Sequence, residues 1–202
     1  QLVAILGTIT VVAASLLLLR QHNFKRLWAY SSIENVGLMV FAIGLGSAPL
    51  FFLQALNHSL AKVALFLLTG NIIQATGTKK LNKMHGVIED CPIWALLLTL
   101  ATFAVTGAPP FGAFVAEMSM LSLSMADERW VLALIMTVAI AISFVAICAH
   151  MGKVILGPAK QGFKKFQPVR ASIIPAVLVF GTLVLGLVVN SEAWSGPWSM
   201  IK

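Results

Sequence analysis

Six stretches of this chain are apolar over about the length that a helix needs to cross a bilayer, roughly 20 residues. They run over residues 2–19, 27–45, 49–74, 92–125, 130–151 and 173–189. No other feature constrains the fold as much, because a chain carrying such runs has to bury or solvate them in lipid. Its composition agrees. Hydrophobic residues make up 59% of the sequence and charged ones 10%, where a soluble domain has about 25% charged residues. A soluble enzyme, a disordered tail and a disulfide scaffold are thereby excluded. The predicted class is all-α, a polytopic transmembrane bundle of about six spans. The fourth stretch is too long for one straight span. It is interrupted by Gly107, Ala108, Pro109, Pro110, Phe111 and Gly112, where two prolines remove backbone donors and two glycines permit non-helical dihedrals. One broken helix, over about 92–125, is predicted there.

Charge supplies the orientation. The net charge is +7, from 14 Lys and Arg against 7 Asp and Glu. In a soluble chain that surplus would suggest nucleic acid; in a membrane chain it marks cytoplasmic loops, and no nucleic-acid partner is expected. Arg20, Lys25 and Arg26 follow the first span, Lys79, Lys80 and Lys83 the third. Lys153, Lys160, Lys164, Lys165 and Arg170 follow the fifth. If the broken helix makes a single crossing, all of these fall on one face, and the opposite face keeps Arg129 and Lys202. Segments 20–26, 76–91 and 152–171 are accordingly expected to be cytoplasmic. Trp130, Trp194 and Trp198 near outer ends, and Trp94 near an inner one, fit an aromatic belt.

Charges within the spans are costly, about 2.5–3.5 kcal/mol each on insertion scales, and are usually functional. Glu34, His58, Lys62 and Glu117 meet that description. Gln54, His58 and Lys62 recur every four residues. Each step climbs about 6 Å with a small drift around the axis, so they form a polar ladder on the third helix, flanked by Asn57 and Ser59. Such a row suits water and titrating groups between which a proton can hop. Plainer roles exist for each: His58 as a hydrogen-bonded packing residue, Glu34 as a bond to a neighbouring helix, Lys25 and Arg26 as topology signals. Glu117 follows the break by about two turns, and broken helices of this kind recur at transporter ion sites. His22, His85 and His150 read as loop or edge residues. Cys91 and Cys148 read as small packing residues. The chain has no Cys/His cluster, glycine-rich phosphate loop or nucleotide fingerprint, so no cofactor or metal is expected within it. It opens in mid-helix without an initiator Met, and is expected to be part of something longer.

Three motifs resemble a known family. Phe24-Lys25-Arg26-Leu27-Trp28-Ala29-Tyr30-Ser31-Ser32-Ile33 resembles the "D-x-K-R-L-x-A-Y-S-S" signature of antiporter-like proton-translocating subunits. His58-Ser59-Leu60-Ala61-Lys62-Val63-Ala64-Leu65-Phe66-Leu67 resembles their "H-x-x-x-K-A-L-L-F-L" helix. Residues 107–117 resemble their broken helix, "G-x-P-P-x-x-x-F-x-x-E". The family includes the large membrane-arm subunits of respiratory complex I, Mrp-type cation/proton antiporters and group 4 hydrogenases. Ile33-Glu34-Asn35 is most similar to the hydrogenase-4 component F version, with Asn35 where that version has His. Asn23 stands where the signature has Asp, and Gln54 where some relatives have a second His.

The resemblance implies one five-helix half-channel repeat over 1–156, a basic cytoplasmic loop over 157–171, and a terminal transmembrane helix and tail over 172–202. It implies that Lys25, His58, Lys62 and Glu117 transfer protons, with Glu34, Gln54 and Asn57 as supporting polar groups and Gly107, Pro109, Pro110 and Gly112 forming the break. The implied setting is the inner membrane, in a hydrogenase-4-like or NADH-quinone oxidoreductase-like complex. Partners would be other membrane-arm subunits and a peripheral redox arm, any Ni–Fe, Fe–S or flavin centres residing there. Alternatives are an Mrp-like antiporter subunit moving Na+ without redox coupling, and a structural fragment lacking transport.

Overall fold

The computed structural model describes residues 1–158 and 168–195. Lys160, Lys164, Lys165, Trp198 and Lys202 lie outside these residues, with most of the 157–171 loop and the side chain of Trp194. Among the described residues the architecture is wholly helical apart from loops. The long apolar helices are α1 (Leu2–Leu18), α2 (Phe24–Gly44) and α3 (Ala48–Thr76). After a 3-10 turn (Leu81–Lys83) and the single-turn α4 (Val87–Asp90) come α5 (Pro92–Val105), α6 (Gly112–Ala126), α7 (Trp130–Leu156) and α8 (Pro168–Ser195). Four helices, α2, α3, α7 and the 170–189 part of α8, are long and apolar enough to cross a membrane. The shorter α1, α5 and α6 are apolar too, and α5 and α6 are the two halves of the broken element.

Local chemistry sets the helix ends. Asn23 caps α2 by accepting from the Lys25 backbone N–H at 3.0 Å, so Lys25 and Arg26 lie within its first turn rather than in a loop. Asn caps a helix as well as Asp does. Ser47 caps α3, with a proline in its first turn, and Gly77 closes it at φ 70°.

Hydrogen bonds between helix ends fix the direction of every crossing. At one end the Phe24 N–H donates to Lys79 O at 3.0 Å and the Leu81 N–H to His22 O at 3.0 Å. The His85 ring bonds Lys153 O at 2.9 Å, and the His150 ring bonds Leu18 O at 3.2 Å. Asn71 donates to Ala171 O at 3.4 Å. At the other end Arg129 donates to Gly44 O at 2.9 Å. His85 precedes α5 and Arg129 follows α6. They therefore sit at opposite ends of α7, a helix of 27 residues and about 40 Å. The broken element is one crossing and not a re-entrant hairpin. Arg20, Lys25, Arg26, Lys79, Lys80, Lys83, Lys153 and Arg170 consequently share one end.

The buried apolar residues form two clusters stacked along the crossing direction. One, toward the basic end, contains Phe24, Leu27, Trp28, Leu65, Leu68, Leu98, Ile147 and Val154. The other contains Ala4, Val11, Leu38, Phe41, Met120 and Met136. On α1 and α2 the backbones touch: a Cβ on Gly37 would lie 2.8 Å from Val11 Cγ2 and 3.1 Å from Gly7 O. Small residues give membrane helices this close approach. One expectation is corrected here. Trp94 is 1% exposed and belongs to the basic-end core, so it is a packing residue and not part of an interfacial belt. Trp130, 62% exposed at the start of α7, has the exposure a belt residue needs.

Candidate functional site

Between the two apolar clusters lies a layer of buried polar groups. Ser31, Glu34 and Asn35 come from α2, Gln54 and Asn57 from α3, Glu117 from α6 and Ser143 from α7, all buried. Lys62, 5% exposed, adjoins the layer on its basic-end side. Helix periodicity foresaw a ladder along α3. Antiparallel packing of α2 on α3 turns that ladder into cross-links. The Gln54 amide donates to Asn35 Oδ1 at 2.8 Å, and the Lys62 ammonium donates to Trp28 O at 2.8 Å. With α6 and α7 contributing at the same depth, the series extends across the bundle as well as along one helix.

Lys62, Glu34 and Glu117 are three ionisable side chains buried within one layer of the bundle. Glu34 accepts a hydrogen bond from the Ser143 hydroxyl of α7. Several buried polar atoms have no protein partner: Ser31 Oγ, Gln54 Oε1, Asn57 Oδ1 and His58 Nδ1. Native interiors rarely leave such atoms unsatisfied except where water or function requires them.

The break lies at residues 106–111, between α5 and α6, and Pro109–Pro110 is a cis peptide. Gly107 has φ +69°, and a Cβ there would fall 2.6 Å from the Glu117 carboxyl carbon. Glycine is thus required twice over, for its backbone and for the room it leaves the acid. A Cβ on Gly112, the first residue of α6, would lie 2.5 Å from Asn57 Oδ1. Asn57 therefore faces the break. On its remaining side α8 closes in, Gly186 lying against the Pro110 carbonyl. Irregular backbone at membrane depth persists only where protein or a water-filled cavity surrounds it, and α3, α6 and α8 provide that enclosure.

Of the sequence-predicted residues, Glu34, Gln54, Asn57, His58, Lys62, Glu117 and the break converge. His58 is half-buried, with its Nδ1 fully enclosed. Lys25 does not join them: it is exposed at the basic end, beside the Lys79–Lys80 segment. Sequence reading missed Trp28, Thr69 and Ser143 as partners. Ser143 interrupts an apolar span and so left a faint signal, whereas Trp28 and Thr69 had none apart from their place near the motifs. Among the described residues no three His, Cys, Asp or Glu side chains converge as a metal site requires.

A polytopic helical membrane protein with a charged layer at mid-depth beside a broken helix is built as ion-translocating proteins are. Residues 1–143 match the NADH:quinone oxidoreductase/Mrp antiporter transmembrane family, and the chain belongs to it. It is 31% identical over 177 residues to a hydrogenase-4 component F homolog of Methylacidiphilum infernorum, covering 86% of this chain and 36% of that protein. It is 30% identical over 190 residues to NADH-quinone oxidoreductase subunit M of Buchnera aphidicola, covering 91% and 37%. Among solved structures, the Mrp complex from Dietzia sp. DQ12-45-1b matches with a TM-score of 0.81 at 16% identity, over 95% of this chain and 45% of that one. Respiratory complex I from Thermus thermophilus matches with a TM-score of 0.77 at 21% identity, over 95% and 41%. These two likenesses establish the fold. The chain spans little more than a third of the length of the two relatives compared by sequence.

Proposed function

We propose that this chain is a proton-translocating membrane element of an energy-converting oxidoreductase complex of the hydrogenase-4 or NADH-quinone oxidoreductase kind. One observation carries the reading: Lys62, Glu34 and Glu117 are buried in one polar layer, with half-buried His58 on the same helix as Lys62, beside a broken helix whose Gly107 lies against Glu117. Protons pass among them through water bonded to the enclosed atoms of Ser31, Gln54, Asn57 and His58. Lys62 and Glu117 alternate in charge and so gate the series, and His58 and Lys25 relay between it and the basic face. Residues 1–156 act as one half-channel repeat, 157–171 as a basic loop and 172–202 as the closing helix and tail. The basic end faces the cytoplasm of an inner membrane, following the positive-inside rule. Redox centres (Ni–Fe, Fe–S or flavin) belong to a peripheral arm carried by partner subunits.

The test is Lys62→Gln and Glu117→Gln in the assembled complex within inverted membrane vesicles. Each should abolish proton pumping while leaving the redox reaction running. Full pumping in both variants refutes the reading. A second reading, Na+/H+ exchange without redox coupling, draws on the likeness to Na(+)/H(+) antiporter subunit A1 of Staphylococcus saprophyticus, 26% identical over 215 residues and 92% of this chain. Proton movement that requires Na+ and ignores electron donors favours that reading.

A further inference from the structure

Lys62 is held by a single residue of α2 in two ways. Its ammonium donates to the Trp28 carbonyl at 2.8 Å, and the same nitrogen stands 5.3 Å from the centroid of the Trp28 ring. The ring is itself anchored. Its N–H donates to Thr69 Oγ1 on α3 at 2.8 Å, and Phe24 packs against it with ring centroids 6.0 Å apart. Trp28 is completely buried, so the indole has no other place to go. Thr69 lies two turns beyond Lys62 on the same helix face, and α3 thus supplies both the lysine and the pin that aims the ring at it. Position 28 is one where the resembled signature specifies no residue.

We propose that Trp28, pinned by Thr69, is a positioning residue that holds Lys62 at the edge of the polar layer and favours its charged state, setting the pH range over which the lysine cycles. This rests on the proton-translocation reading above. The physical basis is that a cation over an indole face is stabilised relative to the neutral amine, most strongly where water is excluded. The carbonyl bond belongs to the backbone and survives substitution; the ring contribution does not. Other charged or titratable groups facing Lys62 are Glu34 on α2 and His58 on α3, with Glu117 on α6 acting through Glu34. α5 contributes no titratable residue, and of the titratable residues of α8 Arg170 lies at the basic end and Glu192 in the last turn. On α7, Cys148, His150 and Lys153 lie toward the basic end, where the His150 ring bonds Leu18 O.

The experiment compares Trp28→Leu, Trp28→Phe and Thr69→Val in the assembled complex, recording the pH profile of proton translocation alongside the redox rate. Trp28→Leu should move the alkaline limb of translocation to lower pH by about half to one and a half units, the span of cation–π strengths converted at about 1.4 kcal/mol per unit. Trp28→Phe, which keeps an aromatic face, should cancel most of that shift. Thr69→Val keeps side-chain volume and releases only the indole N–H, so it reads the same displacement at smaller size whether or not the leucine variant assembles. A profile unmoved in Thr69→Val, or in an assembled Trp28→Leu, overturns the clamp and leaves the translocation reading standing. Wild-type pumping in both Lys62→Gln and Glu117→Gln overturns that reading instead.

Discussion

Substituting Gly107 by alanine should reveal how tightly the break is built around Glu117. Two costs arise. The backbone at φ +69° is left-handed, a conformation that disfavours an L-residue by about 1–2 kcal/mol. The new methyl would also lie 2.6 Å from the Glu117 carboxyl carbon and 2.7 Å from its Oε1, closer than non-bonded atoms tolerate. Overpacking of this kind typically costs about 1–3 kcal/mol. Gly107→Ala should therefore destabilise the protein by about 2–5 kcal/mol. In a Glu117→Ala background the collision disappears and only the backbone strain remains, so the same substitution should then cost about 1–2 kcal/mol. Equilibrium unfolding of the four purified proteins in mixed micelles, followed by circular dichroism, yields the cycle. If Gly107→Ala costs the same in both backgrounds, within about 0.5 kcal/mol, Glu117 does not pack over Gly107 and the account of the break is wrong.

Two further expectations concern the packing around the polar layer. Ser143→Ala removes the hydroxyl that donates to Glu34 and should lower stability by roughly 1–3 kcal/mol. Ser59→Ala, whose hydroxyl bonds its own helix on an exposed face, should stay within about 0.5 kcal/mol of wild type in the same unfolding assay. Gly37→Ala forces α1 from α2 and should destabilise by about 1–3 kcal/mol. Gly70→Ala, which meets nothing within 4 Å, should instead stabilise α3 by about 0.5–1 kcal/mol. Opposite signs for these two glycines in thermal melts would support the helix–helix geometry; equal effects would contradict it.

What the sequence made legible was whatever depends on one helix at a time. Apolar length disclosed the spans, the proline pair disclosed the break, and the cost of burying charge singled out Glu34, Lys62 and Glu117. Their partners were not legible, because a partner is set by which faces of two helices meet. Trp28 reaches Lys62 and Ser143 reaches Glu34 across sequence separations of 34 and 109 residues, and no periodicity encodes such pairings. Lys25 shows the converse limit. It belongs to the same motif as Trp28 and lies on nearly the same helix face, yet it sits in the first turn of α2 at the surface while Trp28 lies a turn deeper in the core. Trp94 likewise has the sequence position of a belt residue and the burial of a core one, since α5 turns that face inward.

The contact between Gly186 and the Pro110 carbonyl has a bearing on biogenesis. A chain is inserted from its N-terminus, so α5, the break and α6 enter the membrane well before α8 is made. Until α8 arrives, the Pro110 carbonyl and the neighbouring backbone lack one wall of their enclosure, a costly exposure for irregular backbone among lipid tails. Helix α8 is thus a latch, and a ribosome that stalls before it leaves a nascent chain with Glu34, Lys62 and Glu117 in place but an unsealed break. The distance in sequence between break and latch makes insertion of α8 the step that seals an element made long before it.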